Sequence, residues 1–194
     1  RIYPVSAGDT ILLHAAAGGV GLIASQWAKH LGATVIGTVG SDEKAVLAKA
    51  HGCAHTVVYT REDVVGRVKE LTGGVGVPVV FDSVGKDTFL ASLDCLQPRG
   101  LMVSYGNASG AIEPFSPGVL AAKGSLFLTR PTLASYISTR DDLDTTAADL
   151  FSVVKSGAVR IAVNQTLPLE EVAQAHRDLE ARKTTGSTVL TIGG

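Results

Sequence analysis

A short apolar run over residues 10–16 passes without a break into Ala15-Ala16-Ala17-Gly18-Gly19-Val20-Gly21, and an amphipathic run over 20–30 follows at once. Strand, glycine turn and helix in immediate succession match the dinucleotide fingerprint. Ala16 stands in the place of its first glycine, and Gly18 and Gly21 hold the second and third places. The second glycine lets the backbone approach a pyrophosphate, and the third lets the helix pack closely on the strand. Free amides at the helix start, around Gly19 and Val20, would face the anion. Without a ligand the same turn is an ordinary glycine-rich connection. The strand before it and the helix after it favour the ligand reading.

The rhythm continues down the chain. Strand-like apolar runs occupy 10–16, 34–39, 56–59, 77–82, 101–105 and 125–129, with amphipathic runs over 20–30, 42–51, 61–71 and 87–96 between them. The strand runs are short and continuously apolar, as strands covered on both faces are. Gly32, Gly52, Gly73 and Gly100 follow the helical runs, where a left-handed glycine stops a helix. The alternation predicts an α/β fold: a Rossmann-type, doubly wound, parallel six-stranded sheet with helices on both faces. After Pro131 the pattern changes. A helix is expected over 141–155, a strand over 159–167, a helix opened by Pro168 over 169–182, and a last strand over 188–192. Residues 1–158 are therefore read as a dinucleotide-binding domain and 159–194 as a separate C-terminal segment.

Composition excludes several classes. Charged residues are 18 % and mean hydropathy is +0.27, which rules out disorder. Seventeen basic against eighteen acidic residues leave no nucleic-acid footprint and no polybasic membrane patch. Cys53 and Cys95 are too few for a disulfide framework or a cysteine-rich zinc site, and they fit a reducing, cytoplasmic compartment. The most apolar stretch, 11–28, contains His14, Gln26 and three glycines and is a poor membrane span. The chain opens on Arg1 rather than Met, so it is expected to be a fragment of a longer one. Gly73-Gly74-Val75-Gly76 precedes a strand instead of opening a helix, which disfavours a phosphate loop. His51, Cys53 and His55 share metal-ligand chemistry, but a helix end at Gly52 should make them diverge. No catalytic acid–base pair and no metal site is assigned.

The end of the second strand bears on cofactor choice. An NAD-selective site carries an acidic residue there. Here the chain reads Gly37-Thr38-Val39-Gly40-Ser41-Asp42-Glu43-Lys44. The hydroxyl of Ser41 and the ammonium of Lys44 suit a 2′-phosphate, so NADPH is favoured over NADH. Ser41 also fits the N-cap of the next helix, and the two roles are compatible.

These segments together resemble the zinc-free NADPH:quinone oxidoreductases of the medium-chain dehydrogenase/reductase superfamily. The resemblance covers essentially the whole chain. It rests on His14-Ala15-Ala16-Ala17-Gly18-Gly19-Val20-Gly21, Ile36-Gly37-Thr38-Val39-Gly40, Phe81-Asp82-Ser83-Val84-Gly85, Tyr105-Gly106-Asn107-Ala108-Ser109-Gly110, Leu128-Thr129-Arg130-Pro131 and Gly186-Ser187. It implies that Gly19 and Val20 lie on the pyrophosphate, and that Gly40, Ser41, Lys44 and Tyr59 surround the adenosine ribose and its 2′-phosphate. It places Ser83 near the adenine. Tyr105, Asn107 and Ala108 would line the cofactor toward the nicotinamide, with Phe127, Leu128 and Thr129 nearby, and Arg182 would reach back to the cofactor. Family members carry a GroES-like catalytic domain before the cofactor domain. That domain is expected to lie outside this sequence, and 159–194 is expected to pack on it. The implied activity is hydride transfer from NADPH to a quinone. An alkenal or enoyl reductase on the same scaffold, or a non-catalytic dinucleotide-binding module, is the alternative. The uncharged sixth strand, 125–129, is expected at a sheet edge and is read as the contact of a homodimer.

Overall fold

A computed structural model describes residues 1–193. The elements run β1 (Thr10–Leu13), α1 (Gly19–His30), β2 (Thr34–Val39), α2 (Asp42–Ala50), β3 (His55–Val58), α3 (Val64–Leu71), β4 (Val77–Asp82), α4 (Phe89–Cys95) and β5 (Leu96–Ser104). They continue with α5 (Gly118–Ala122), β6 (Phe127–Thr129), α6 (Leu133–Tyr136), α7 (Arg140–Lys155), β7 (Val163–Pro168), a 3-10 turn (Leu169–Glu171), α8 (Val172–Glu180) and β8 (Ser187–Thr191). Six strands form one sheet in the order β3-β2-β1-β4-β5-β6, every neighbouring pair parallel. This is the expected doubly wound fold.

Alternation along the strands builds two cores. Ile11, Leu13, Val35, Val79 and Val103 face one side, where Ala28 of α1 and Ala45 and Ala48 of α2 cover them. Leu12, Ile36, Val80 and Met102 face the other, under Val68 of α3 and Phe89 and Leu93 of α4. Both sets are apolar because both faces are covered, so the strands read as unbroken apolar runs.

Several boundaries move. The first strand stops at Leu13, and Ala15 takes a left-handed φ of 53° to turn the chain toward Gly18. The third helix begins at Val64, not 61, because the Asp63 carboxylate accepts from the amides of Val65 and Gly66. Arg61 instead pairs with Asp42 at 2.6 Å. Gly100 is no helix stop: α4 ends at Cys95 and the chain enters β5 at Leu96. The register jumps there, Val77 pairing with Leu96 but Val79 with Leu101, and Arg99 takes a positive φ to make the bulge. The sixth strand keeps only 127–129, since Ser125 is left-handed at φ 57°.

The C-terminal strand opens at Val163, not 159, and Pro168 is both its last residue and the N-cap of the 3-10 turn that follows. The helix expected over 169–182 is a 3-10 turn followed by α8, and Arg182 is already left-handed. β7 and β8 pair in parallel as a second, two-stranded sheet. An isolated bridge between Gly18 and Gly186 ties this unit to the first sheet's glycine turn. Gly194, the last residue of the expected C-terminal segment, lies outside the described residues.

Candidate functional site

β1 and β4 lie side by side at the centre of the sheet, yet β1 leads to a helix on one face and β4 to a helix on the other. The carboxyl ends of the strands therefore part there, and this switch point is where doubly wound sheets bind ligands. Gly18 is the N-cap of α1. No side chain caps the helix, and its first turn holds no acidic residue. Gly18 N donates to Ala15 O and Gly186 O lies over Gly19, so the amides of Val20 and Gly21 and the positive dipole end are what is left for an anion. The fingerprint glycines differ in what surrounds them. A β-carbon at Gly18 would sit in ordinary contact, 3.4 Å from Ala15 O, whereas one at Gly21 would lie 2.4 Å from that oxygen. Gly21 is required by helix–strand packing and Gly18 is not. Gly19 lies beneath the C-terminal segment, with Gly186 O 3.2 Å and Ser187 Oγ 3.3 Å from its β-carbon position.

At the end of β2, Gly40, Ser41, Lys44, Tyr59 and Arg182 come together. A β-carbon at Gly40 would be 2.8 Å from Tyr59 Oη. Ser41 Oγ accepts from the Lys44 amide at 3.4 Å, so Ser41 does cap α2. Lys44 Nζ donates to the Arg182 carbonyl at 2.5 Å, and the Arg182 guanidinium stands 3.7 Å from Asp87.

Across the crevice, two loops are zipped together. Tyr105 N donates to Asp82 O at 2.8 Å and Ala108 N to Ser83 O at 3.1 Å. Burial pushes the Tyr105 phenol up, against the opposing influence of the nearby Ser83 hydroxyl. Asn107 and Leu128 border a cleft of about 520 Å³ with Ser104, Ile112, Phe115 and Arg130. Ser104 is 1 % exposed, and among the described residues its hydroxyl has no partner. Phe127 stands level with Leu101, at the end of β6 away from the crevice, while Thr129 stands level with Val103.

Beneath these loops lies a polar group buried in the core. His14, Thr38, Asp82 and Ser92 are each 2 % exposed or less. Imidazole Nδ1 lies 2.9 Å from Thr38 Oγ1 and Nε2 lies 3.0 Å from Ser92 Oγ. Ser92 and Thr88 donate to one oxygen of Asp82, and the amides of Val84 and Gly85 donate to the other. Because the Ser92 proton goes to Asp82, Ser92 Oγ accepts from Nε2–H, and Nδ1 accepts from Thr38. Burial pushes the His14 pKa below its ordinary value of 6.5, against the opposing pull of Asp82. A histidine held neutral stabilises the fold fully above its unfolded pKa, and that contribution is lost as pH falls below it. The urea midpoint should therefore drop between about pH 7.5 and about pH 5. A His14→Gln variant should show a shallower drop, and equal slopes would remove His14 as the cause.

The matched proteins share this architecture. The sequence profile of the zinc-binding dehydrogenases matches residues 19–152, well over half of the chain. The chain belongs to the zinc-binding dehydrogenase family. It is 56 % identical over 98 % of its length to a quinone oxidoreductase of Pseudomonas aeruginosa, and it covers 58 % of that protein. It is 50 % identical over 98 % of its length to a 2-haloacrylate reductase of Burkholderia, covering 57 % of it. The structure of Escherichia coli quinone oxidoreductase complexed with NADPH superposes with a TM-score of 0.95 at 50 % identity, covering 98 % of this chain and 60 % of that one.

The family's description names zinc, but these residues do not fit it. Among the described residues no three His, Cys, Asp or Glu side chains come together as metal ligands. His51 bonds the Leu47 carbonyl and Cys53 the Ser25 hydroxyl. Burial pushes the Cys95 thiol up to about 12 and raises Cys53 as well, so neither thiol is a ready nucleophile. Sequence reasoning missed Ser104, Arg130, Asp87 and the functional weight of His14. A histidine inside an apolar strand run was the one available signal. The family turn could not show that its partners are Thr38 and Ser92.

Proposed function

We propose that this chain is the NADPH-binding domain of an oxidoreductase that reduces a quinone or similar conjugated carbonyl. The observation that carries the reading is the uncapped start of α1 after β1, with Lys44 beyond the end of the neighbouring strand β2 and no acidic residue at that strand's end. The E. coli relative complexed with NADPH supports it. Bound NADPH would supply the hydride. The protein supplies orientation and water exclusion.

Gly18, Gly19 and Val20 hold the pyrophosphate in this reading. Gly40, Ser41, Lys44, Tyr59 and Arg182 surround the 2′-phosphorylated ribose, and Ser83 lies toward the adenine. Tyr105, Asn107 and Ala108 line the nicotinamide side, with Thr129 nearer to it than Leu128 or Phe127. The unpartnered Ser104 hydroxyl gives the adjoining cleft a donor for a carbonyl oxygen. Lys44 would exchange the Arg182 carbonyl for phosphate, a stronger, charge-assisted partner. Lys44→Ala should weaken NADPH by about 1.5–3 kcal/mol, the range for a hydrogen bond to a charged group, and leave NADH nearly unchanged. Fluorescence titration with both cofactors checks this, and equal losses would remove Lys44 from 2′-phosphate recognition.

The chain spans about 58 % of the P. aeruginosa relative. We assign the rest to a GroES-like catalytic domain, with 1–158 as the cofactor domain and 159–194 as the segment that packs on its missing partner. Ile161, Val163, Leu179, Val189 and Ile192 leave this segment's apolar side chains uncovered, which supports the assignment. Reduction of a conjugated alkene is the second reading, favoured by the 2-haloacrylate reductase relative. Turnover of a quinone against 2-haloacrylate by the full-length protein separates the two.

A homodimer through the free edge of β6 completes the proposal. Among the described residues β6 pairs on one side only, with β5, and Phe127 there is 62 % exposed. Light scattering after size exclusion should give twice the 20.0 kDa chain mass, and Phe127→Lys should return it to one. A monomer mass for the unaltered chain would reject the dimer. The protein is placed in the cytoplasm, in keeping with two free, buried thiols.

A further inference from the structure

The side chains on the α3–α4 face of the sheet change character at one level. Ile36, Leu12, Val80 and Met102 stand in register across β2, β1, β4 and β5, and all four are fully buried and apolar. Two residues further along each strand, the next row reads Thr38, His14, Asp82 and Ser104. This row is just as buried, so its polarity is not a surface effect. Polar groups in such a place carry a desolvation cost that another apolar row would avoid.

The row's position gives the reason. Thr38 precedes the Gly40–Lys44 turn. His14 precedes the glycine turn at α1. Asp82 precedes the Ser83–Gly85 turn and itself holds the Val84 and Gly85 amides at 2.7 and 3.0 Å. In the dinucleotide reading each of these three loops would form one wall of the adenosine-diphosphate half of the crevice. The chain Thr38–His14–Ser92–Asp82 links the three strand ends through directional bonds of 2.9–3.0 Å. Apolar contacts at this level would fill the space without fixing the angles between the loops.

We propose that His14, bridged by Thr38 and Ser92, is a positioning residue that sets the relative placement of the three dinucleotide-binding loops. The proposal rests on the dinucleotide reading given above. It acts through the shape of the crevice and touches no part of the cofactor. Its loss must therefore weaken NADPH and NADH by the same factor, unlike the loss of Lys44.

The test measures the Kd of NADPH and of NADH for the full chain, at a temperature where every variant is folded by circular dichroism. Thr38→Val keeps the side-chain shape and removes one bond to the imidazole; Ser92→Ala removes the other and the link to Asp82. Each should raise both Kd values by an equal factor, about tenfold for Ser92→Ala. The double variant should lose less than the product of the two, because both act through one imidazole. The backbone amide resonances of Gly18, Gly40 and Gly85 should shift together in Thr38→Val. Thr38→Val and Ser92→Ala variants that melt earlier but bind both cofactors as before would overturn the proposal, leaving the network a stability feature. A loss confined to NADPH would overturn it too. Failure of the unaltered chain to bind either dinucleotide would instead overturn the functional reading on which it rests.

Discussion

A Gly18→Val variant is expected to fold normally and to bind no dinucleotide. Gly18 adopts φ −78° and ψ 173°, an extended conformation natural to valine. Its β-carbon would rest 3.4 Å from Ala15 O, an ordinary contact, so the first atom of the side chain meets no clash. What the isopropyl group fills is the space in front of the α1 amides, where a pyrophosphate would come close. Affinity for NADPH and NADH should both fall by at least about a hundredfold, with the urea midpoint unchanged. A folded Gly18→Val variant that still binds would place the pyrophosphate elsewhere.

Three residues on, the smallest possible side chain is expected to do the opposite damage. A β-carbon at Gly21 would lie 2.4 Å from Ala15 O and 2.7 Å from the Cα and carbonyl carbon of Ala16. All three are backbone atoms of the turn, so no rotamer change relieves the overlap. Either α1 lifts off the sheet or the turn is displaced, which also uncovers Leu22 and Ala28. Gly21→Ala should cost about 3 kcal/mol or more, the upper end of overpacking penalties. A lower urea midpoint at unchanged slope would show it. Stability equal to the unaltered chain would mean that the helix does not pack as closely as the structure shows. The two variants together divide one motif into a glycine kept for a ligand and a glycine kept for the fold.

That division was partly readable beforehand. The fingerprint spacing assigns Gly18 to the pyrophosphate and Gly21 to packing, since the turn is local and its backbone needs are written in adjacent residues. Gly100 was misread for the converse reason. A glycine after a helical run reads as a stop signal, but this one serves a bulge whose partner, Val79, lies far away in sequence. The helix expected over 169–182 was also too long. Pro168 and the following acidic pair fit a first turn equally as a strand end and a 3-10 turn, and only pairing with β8 decides between them.

The sequence by itself determined the alternation of strands and helices, the coverage of the sheet on both faces and the glycine turn between β1 and α1. Each of these follows from side-chain periodicity and backbone freedom within a few neighbouring residues. The tertiary structure alone decided which chain segments share a site. His14 reaches Thr38 across 24 positions and Ser92 across 78, and Lys44 meets Arg182 across 138. Strand order and register bring such groups within hydrogen-bonding distance, and both are set by how whole layers pack. The polar row under the crevice exists only because the register of four neighbouring strands brings Thr38, His14, Asp82 and Ser104 to the same level.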